Sequence, residues 1–458
     1  MQSKAVIFAG GRGASNLIKH FTTLQNDLKC LDLTIIVNAY DNGLSTGIVR
    51  KIYNIQGPSD IRKNQVTLLD HKSEYSSSIE KFINFRFSSE HAGKANKILR
   101  SIADEDEKGI IGGLIETWKN LPPKMKKLVS SGIDSWLKFI KFNDIEIEYN
   151  DFNIGNIIYA GLTGKDGNLQ KTADLLAASM PIKGKVIINS LDNFFLYGIC
   201  EPKSDDNKPA ILDEADIVEH HLGTRIKAIF LIDKPLTAQK INELEILPIH
   251  EIEHRLNCMS RDYIIPAPDA LKAIQDADIL IYGPGTQFSS LLPTYLTDDF
   301  AETIAENRNA KKIFICNICE DADTIGFSAP DIVEEAIYYL TNKNRNNKSI
   351  SDLINYILIN NPSDKIENKN YVAPHISRFS RWPNINLIVS DSKGKPQSGR
   401  LEFNDDCINL ICTSLEDTES GSHGKHSGIK LGHVILDIIN NSDKNLHHYH
   451  EGAFPFSR

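Results

Sequence analysis

Two short glycine-rich segments carry the chemistry that this chain can be read to perform. Residues Asp276–Pro293 read DADILIYGPGTQFSSLLP: the apolar run Ile279–Tyr282 stops at Gly283-Pro284-Gly285-Thr286, and Gln287–Leu296 then turns from polar to apolar. The same device opens the chain, where Ala5–Phe8 runs into Ala9-Gly10-Gly11-Arg12-Gly13. A strand, a glycine turn and a helix N-terminus can hold a phosphate. Glycines let the backbone approach the anion, free N–H groups point at it, and the helix dipole favours negative charge. Two such turns point to a nucleotide-type ligand held across a sheet edge.

Between them, Asn38–Arg50 (NAYDNGLSTGIVR) gathers Asp41, Asn42, Ser45, Thr46 and Arg50 behind a strand. A carboxylate beside Ser and Thr can hold a metal-bound phosphate or take a proton from an attacking hydroxyl. A solvated Asn-Gly turn would have the same composition. In Pro58-Ser59-Asp60-Ile61-Arg62 the two charges either form a local ion pair or leave Arg62 as a fork for phosphate.

These loops need a scaffold, and the chain spells one out. Strand Ala5–Phe8, helix Ser15–Thr23, strand Leu33–Val37 and loop Asn38–Gly47 follow βαβ grammar, which predicts a mostly parallel, Rossmann-like sheet with helices on both faces. Apolar residues at helical spacing between about Ser76 and Phe142 predict a helical insertion, with Trp118 and Trp136 on its core side. The α/β pattern resumes with helices Gly155–Leu162 and Leu169–Ser179, strand Lys185–Ile188, a polar loop Ser204–Asp216 and strand Arg225–Leu231. Helix Ala270–Gln275 with Asp269 as N-cap, strand Lys312–Cys316 and helix Ala329–Tyr339 complete it. Asn342–Ser349 (NKNRNNKS) punctuates the chain, so that residues 1–343 read as one domain and 344–458 as a smaller α+β extension. There we expect a helix Ile350–Leu358, the loop Asn360–Asn370, and strands Ile385–Val389 and Cys407–Cys412.

Composition removes several classes. A net charge of −9 argues against a general nucleic-acid binder. No apolar run approaches the roughly 20 residues of a membrane helix, and the chain enters a strand at once, without a signal peptide. Seven scattered cysteines, among them Cys30, Cys316 and Cys412, fit reduced thiols and a cytoplasmic location. The first turn is an incomplete dinucleotide fingerprint, because Asn16 stands where a third small residue is needed.

Taken in order, these segments resemble the 2-phospho-L-lactate transferase (CofD)-like superfamily, which includes the gluconeogenesis factors that bind UDP-sugars. The family's Gly-Gly-Thr-Gly turn corresponds to Gly10-Gly11-Arg12-Gly13, and its Asp-Asp-Gly-Gly-Ser-Ser-Gly-Arg-Leu-Arg run to Asp41–Arg50. Its Pro-Gly-Asp-Ile-Arg-Asn corresponds to Pro58–Lys63, and its Gly-Asn pair to Gly155-Asn156. Gly-Pro-Gly-Ser corresponds to Gly283–Thr286, the strand-ending Cys-Asn to Cys316-Asn317, and Thr-x-Gly-Tyr-Ser to Thr324–Ser328.

The resemblance implies that Gly10, Gly11 and Gly13 meet a diphosphate and that Gly283, Pro284, Gly285 and Thr286 complete the cradle. Ser45, Asp60, Arg62 and Thr324 would belong to the same site, with Asn156 and Asn317 on sugar or base edges. Asp41 would serve as catalytic group or as ligand of Mg²⁺. Three departures stand out: Arg12 for Thr, Asn42 for the second Asp, and Lys63 for the Asn after Asp-Ile-Arg.

Two functions follow, a nucleotide-diphosphate or nucleotide-sugar binding protein with a regulatory role, or a Mg²⁺-dependent transferase moving a phospho-acyl group to an acceptor alcohol. An NAD-type dehydrogenase fits poorly. An exposed sheet edge or the helical insertion could support a homodimer. Cys316-Asn317-Ile318-Cys319 lacks the second cysteine pair of a zinc site, and His447–Glu451 reads as a terminal tail rather than a metal site.

Overall fold

The structure, a computed structural model, describes residues 3–28, 31–201, 209–218, 224–361, 370–382, 384–389, 403–404, 407–418 and 423–440. Cys30, part of the loops Ser204–Asp216 and Asn360–Asn370, and the run His447–Glu451 lie outside them.

In chain order the strands are β1 (Ser3–Ala9), β2 (Leu31–Val37), β3 (Lys185–Ile188), β4 (Phe195–Cys200), β5 (Ala210–Asp213), β6 (Ile226–Ile232), β7 (Ile279–Tyr282), β8 (Lys311–Ile315), β9 (Tyr356–Asn360), β10 (Ile385–Val389) and β11 (Ile408–Thr413). Eight of them form one sheet in the order β10-β11-β9-β8-β7-β1-β2-β3, and every pairing in it is parallel. Strands covered by helices on both faces must be apolar along their whole length. All four residues of β7 and all five of β9 are indeed buried. The remaining strands make a small antiparallel sheet, β5-β4-β6, with its own apolar cluster around Ile199, Phe230 and Leu256.

The strand order locates the site. From β1 the chain builds outward through β2 and β3, then returns to the other side of β1 as β7 and builds outward again through β8 and β9. Topology therefore reverses between β1 and β7, and in open parallel sheets ligands bind at the carboxyl ends of the strands beside such a switch point. Both glycine turns open there, since Phe8 pairs with Tyr282 in register one residue before β1 ends and at the last residue of β7.

The helices α1 (Ser15–Leu28), α2 (Leu44–Tyr53) and α3 (Pro58–Thr67) follow the first turn and the loop after β2. The insertion is helical, with elements Ser76–Ile83, Ser89–Ala92, Ala95–Ala103, Gly112–Lys119 and Pro123–Phe142. Trp118 and Trp136 are buried in it, and Trp136 stacks on Tyr53 of α2 at 5.6 Å, tying the insertion to the site-bearing helix.

Four local readings change. Within the stretch Ser204–Asp216 read as loop, Ala210–Asp213 is strand β5, paired with β4, and a helix starts at Glu214. Helix α2 begins at Leu44, inside the stretch read as loop. Ala267, not Asp269, occupies the N-cap of Pro268–Gln275, because Pro268 sets the first helical turn. Ile350–Leu358 splits into a short helix, Ile350–Leu353, and strand β9, because Asn355 pairs with Lys312 and feeds the chain into the sheet beside β8. Among the described residues no helix is long and apolar enough to cross a membrane.

Candidate functional site

The two glycine loops meet back to back. A Cβ on Gly13 would collide with the Pro284 carbonyl oxygen and lie 2.8 Å from the Gly285 nitrogen, so only glycine fits. Gly285 itself has φ +154°, a conformation that L side chains avoid. On the neighbouring turn, a Cβ on Gly10 would lie 2.7 Å from that of Ser290. The Asn64 amide fixes the first loop from α3 by donating to the Gly10 carbonyl at 2.9 Å. Among the described residues the N–H groups of Gly11, Arg12 and Gly13 donate to no protein acceptor. The Arg12 side chain is exposed above them.

The second loop is spent differently. The Asn317 amide donates to the Gly285 carbonyl (2.9 Å) and Asp321 (3.0 Å), while its oxygen accepts from Gly285 N–H (3.3 Å) and Gln287 (3.2 Å). Asn317 is thus a clamp on the loop. Thr324 is buried and accepts from the Asp321 N–H at 3.0 Å, which fixes the turn that carries these groups.

The π-helical turn Gln287–Leu291 does not offer its N-terminus freely, because Asp323 accepts from the N–H groups of Phe288 (2.9 Å) and Ser289 (3.3 Å). Burial, then the neighbouring Asp321, push the Asp323 carboxyl up to about 7 against those two donors. The second loop therefore backs the first rather than duplicating it.

Beneath the first loop lies a charged nest. A Cβ on Gly11 would sit 2.9 Å from Lys63 Nζ and 3.0 Å from Asp60 Oδ1. Lys63 and Asp60 pair at 3.2 Å one turn apart on α3. Glu214, which follows β5, accepts from the Asn42 N–H at 2.6 Å and ties the Asp41 loop to the small sheet. Burial raises Asp60 to about 6, opposed by Lys63 and reinforced by Asp41. Burial and then Asp41 raise Glu214 well above the usual carboxylate range. For Lys63 burial acts downward, but Asp60 and Asp41 outweigh it and the ammonium is held more firmly protonated. The oxygens Asp41 Oδ2 and Asp60 Oδ2 are buried without a protein partner.

Buried polar side chains behind this nest bond to one another and hold it in place. Arg62 is buried and donates to Asn156 (3.1 Å) and Asn84 (2.7 Å), so it is neither the ion-pair partner of Asp60 nor an open fork. Asn156 donates in turn to Ser45 (3.0 Å) and Thr46 (3.1 Å), which uses both ends of its amide. Arg50, also buried, braces the loop by donating to the Tyr40 carbonyl (2.9 Å) and Asn193 (2.9 Å), and it lies 4.6 Å from the Phe195 ring. Leu44, at the lip, is 59% exposed and has φ +39°, a left-handed conformation costly for a leucine.

The residues present fit a resident Mg²⁺ poorly. Among the described residues no three His, Cys, Asp or Glu side chains converge as a metal-holding group, and the carboxylate most buried under the loop already carries an ammonium. A separate cavity of about 330 Å³ is lined by Arg225, Phe327, Ser328, Asp331, Tyr371 and Arg378. Its cations are engaged internally, Arg378 with Asp331 at 2.8 Å and Arg225 over the Phe327 ring at 4.6 Å. Glu214 and the role of Lys63 were not read from the sequence. Glu214 lies in a polar stretch without a motif, and Lys63 stood out only as a departure from the family pattern.

Comparison with known proteins agrees with this architecture. The family model of 2-phospho-L-lactate transferase CofD matches residues 5–381. The gluconeogenesis factor of Bacillus subtilis is 23% identical over 332 residues, covering 72% of this chain and 73% of that protein. The gluconeogenesis factor of Halalkalibacterium halodurans is 23% identical over 331 residues, covering 72% and 71%. In three dimensions the chain is similar to the crystal structure of a UPF0052 family member from Bacillus halodurans, with a TM-score of 0.57 and 19% identity over 95% of this chain and 99% of that one.

Two predictions follow from the geometry. Leu44→Gly relieves the left-handed strain and loses few contacts, so it should raise unfolding stability by about 0.5–1 kcal/mol in a urea titration after the entropic cost of glycine is subtracted. Because the Asp323 pKa is raised on folding, its contribution is fully present below the ordinary carboxylate pKa and is lost as pH rises through about 7. Measured against Asp323→Asn, which keeps one acceptor and carries no charge, the wild type should lose about 2–4 kcal/mol between pH 4 and pH 8. Parallel pH curves for the two proteins would contradict this.

Proposed function

The chain belongs to the 2-phospho-L-lactate transferase CofD family, and on that premise we propose that it binds a nucleoside diphosphate or nucleotide sugar at the β1/β7 crevice. The observation that carries this reading is the first glycine loop: three adjacent free N–H groups, at Gly11, Arg12 and Gly13, pressed from behind by the Pro284–Gly285 backbone. An anion replaces the water that such donors otherwise require, and the start of α1 adds its dipole. Arg12 supplies an exposed guanidinium that can grip a diphosphate in bidentate fashion. The buried amides and arginines beneath keep the loop in one conformation, which lowers the ordering cost of binding. The relatives named gluconeogenesis factor support a regulatory role in which occupancy of this crevice is the signal.

A second reading adds group transfer to the same site. It is favoured by Asp41 Oδ2, buried and unpartnered under the loop, which could take a proton from an acceptor hydroxyl.

A thermal-unfolding panel with UDP, GDP, UDP-sugars and NAD tests the proposal. A nucleoside diphosphate or UDP-sugar at about one hundred times its dissociation constant should stabilise the protein by roughly 2.7 kcal/mol. Arg12→Ala removes an exposed side chain, so it should leave the unliganded melting temperature intact and weaken the ligand by about 1–2 kcal/mol. Stabilisation by NAD alone, or by no member of the panel, would overturn the reading.

A further inference from the structure

Lys63 is placed where this site would otherwise need a metal. Its Nζ lies 3.2 Å from Asp60 Oδ1, and both atoms lie directly under Gly11, whose missing side chain leaves bare backbone over the pair. The Asp60 side chain is only 3% exposed, whereas that of Lys63 keeps 23%. The ammonium is therefore anchored on a buried carboxylate, while part of the lysine side chain remains at the surface. Asp60 Oδ2, in the same side chain, is buried without a partner, as is Asp41 Oδ2.

A diphosphate lying on the free N–H groups of Gly11–Gly13 would meet this ammonium, because Gly11 belongs to both features. A divalent ion would fare worse here. Mg²⁺ stands about 2.0–2.1 Å from its oxygen ligands. If it took Asp60, it would share that carboxylate with a cation already 3.2 Å from Oδ1. Neutral Asn42 leaves Asp41 as the one carboxylate of its own loop, and Glu214, the other carboxylate nearby, is already engaged by the Asn42 N–H at 2.6 Å.

We propose that Lys63 is the built-in counter-ion of the ligand's diphosphate, so that this chain holds a nucleoside diphosphate without a metal ion. Asp60 is the positioning residue: it fixes the ammonium under Gly11, and its buried charge keeps the lysine from swinging out to solvent. The inference rests on the nucleotide-binding reading above and adds how the charge is neutralised.

Calorimetric titration of the full chain with UDP and with GDP, in EDTA and in Mg²⁺, tests it together with Mn²⁺ binding followed by electron paramagnetic resonance. The wild type should bind the nucleotide with the same affinity, within about twofold, in EDTA and in Mg²⁺, and should show no Mn²⁺ site. The double variant Lys63→Met/Asp60→Asn, which strands no buried charge, should keep the melting temperature and lose tenfold or more in nucleotide affinity, while Lys63→Arg keeps metal-independent binding. Lys63→Asn should regain affinity when Mg²⁺ is added and acquire a Mn²⁺ signal. A wild type that needs Mg²⁺ for binding by tenfold or more, or that binds Mn²⁺ without nucleotide, overturns the inference. Absence of any UDP or GDP binding overturns the nucleotide reading and the counter-ion role with it, while the Mn²⁺ titration still reports separately whether Lys63 excludes a metal.

Discussion

The contact between Gly13 and the Pro284–Gly285 backbone is the constraint on which the site depends. Two loops separated by about 270 positions in the chain come within backbone contact only because β1 and β7 are neighbours in the sheet. They are neighbours because the chain, after building β2 and β3 on one side, returns to the other side of β1. A parallel sheet of buried, β-branched strands enforces that spacing, since adjacent strands lie about 4.8 Å apart and cannot be prised open without losing a ladder of hydrogen bonds. The crevice is thus set by topology, and the glycines are what keep it from being filled by side chains.

Electrostatics then divides the labour between the two loops. The second loop is internally satisfied: Asn317 clamps Gly285, and Asp323 takes the N–H groups at the start of the following turn. The first loop keeps its donors and sits over Asp60 and Lys63. Three carboxylates, Asp41, Asp60 and Glu214, are gathered in this region with two fully buried arginines, Arg50 and Arg62. Such a cluster is expensive to assemble, because burying a charge costs several kcal/mol unless it is paired or hydrogen-bonded. Costly charged clusters and left-handed non-glycine residues such as Leu44 concentrate at functional sites, which favours the binding role proposed above.

The sequence was legible where local patterning and tertiary role coincide. The runs Ala5–Phe8, Lys185–Ile188 and Ile279–Tyr282 are β-branched and bounded by turn residues, and each is a strand of the main sheet. The two glycine turns were legible for the same reason, since only glycine serves at Gly13 and Gly285. Arg62 and Asn156 were legible as members of the site region but not in their roles. Their partners lie 94 residues apart, and nothing local to either says that the guanidinium turns inward. Glu214 was silent, because a lone glutamate in a polar stretch acquires meaning only from the Asn42 N–H that reaches it across the fold. The misread helix Ile350–Leu358 shows the complementary failure: a short apolar run fits both periods, and pairing with β8 decides it.

The account turns on where a diphosphate sits, and a crystal structure of the full chain with UDP tests it most directly. The account predicts diphosphate oxygens on the N–H groups of Gly11, Arg12 and Gly13, with the Arg12 and Lys63 side chains turned toward them. UDP bound instead in the cavity between Arg225 and Arg378, with the first glycine loop facing only water, would contradict it.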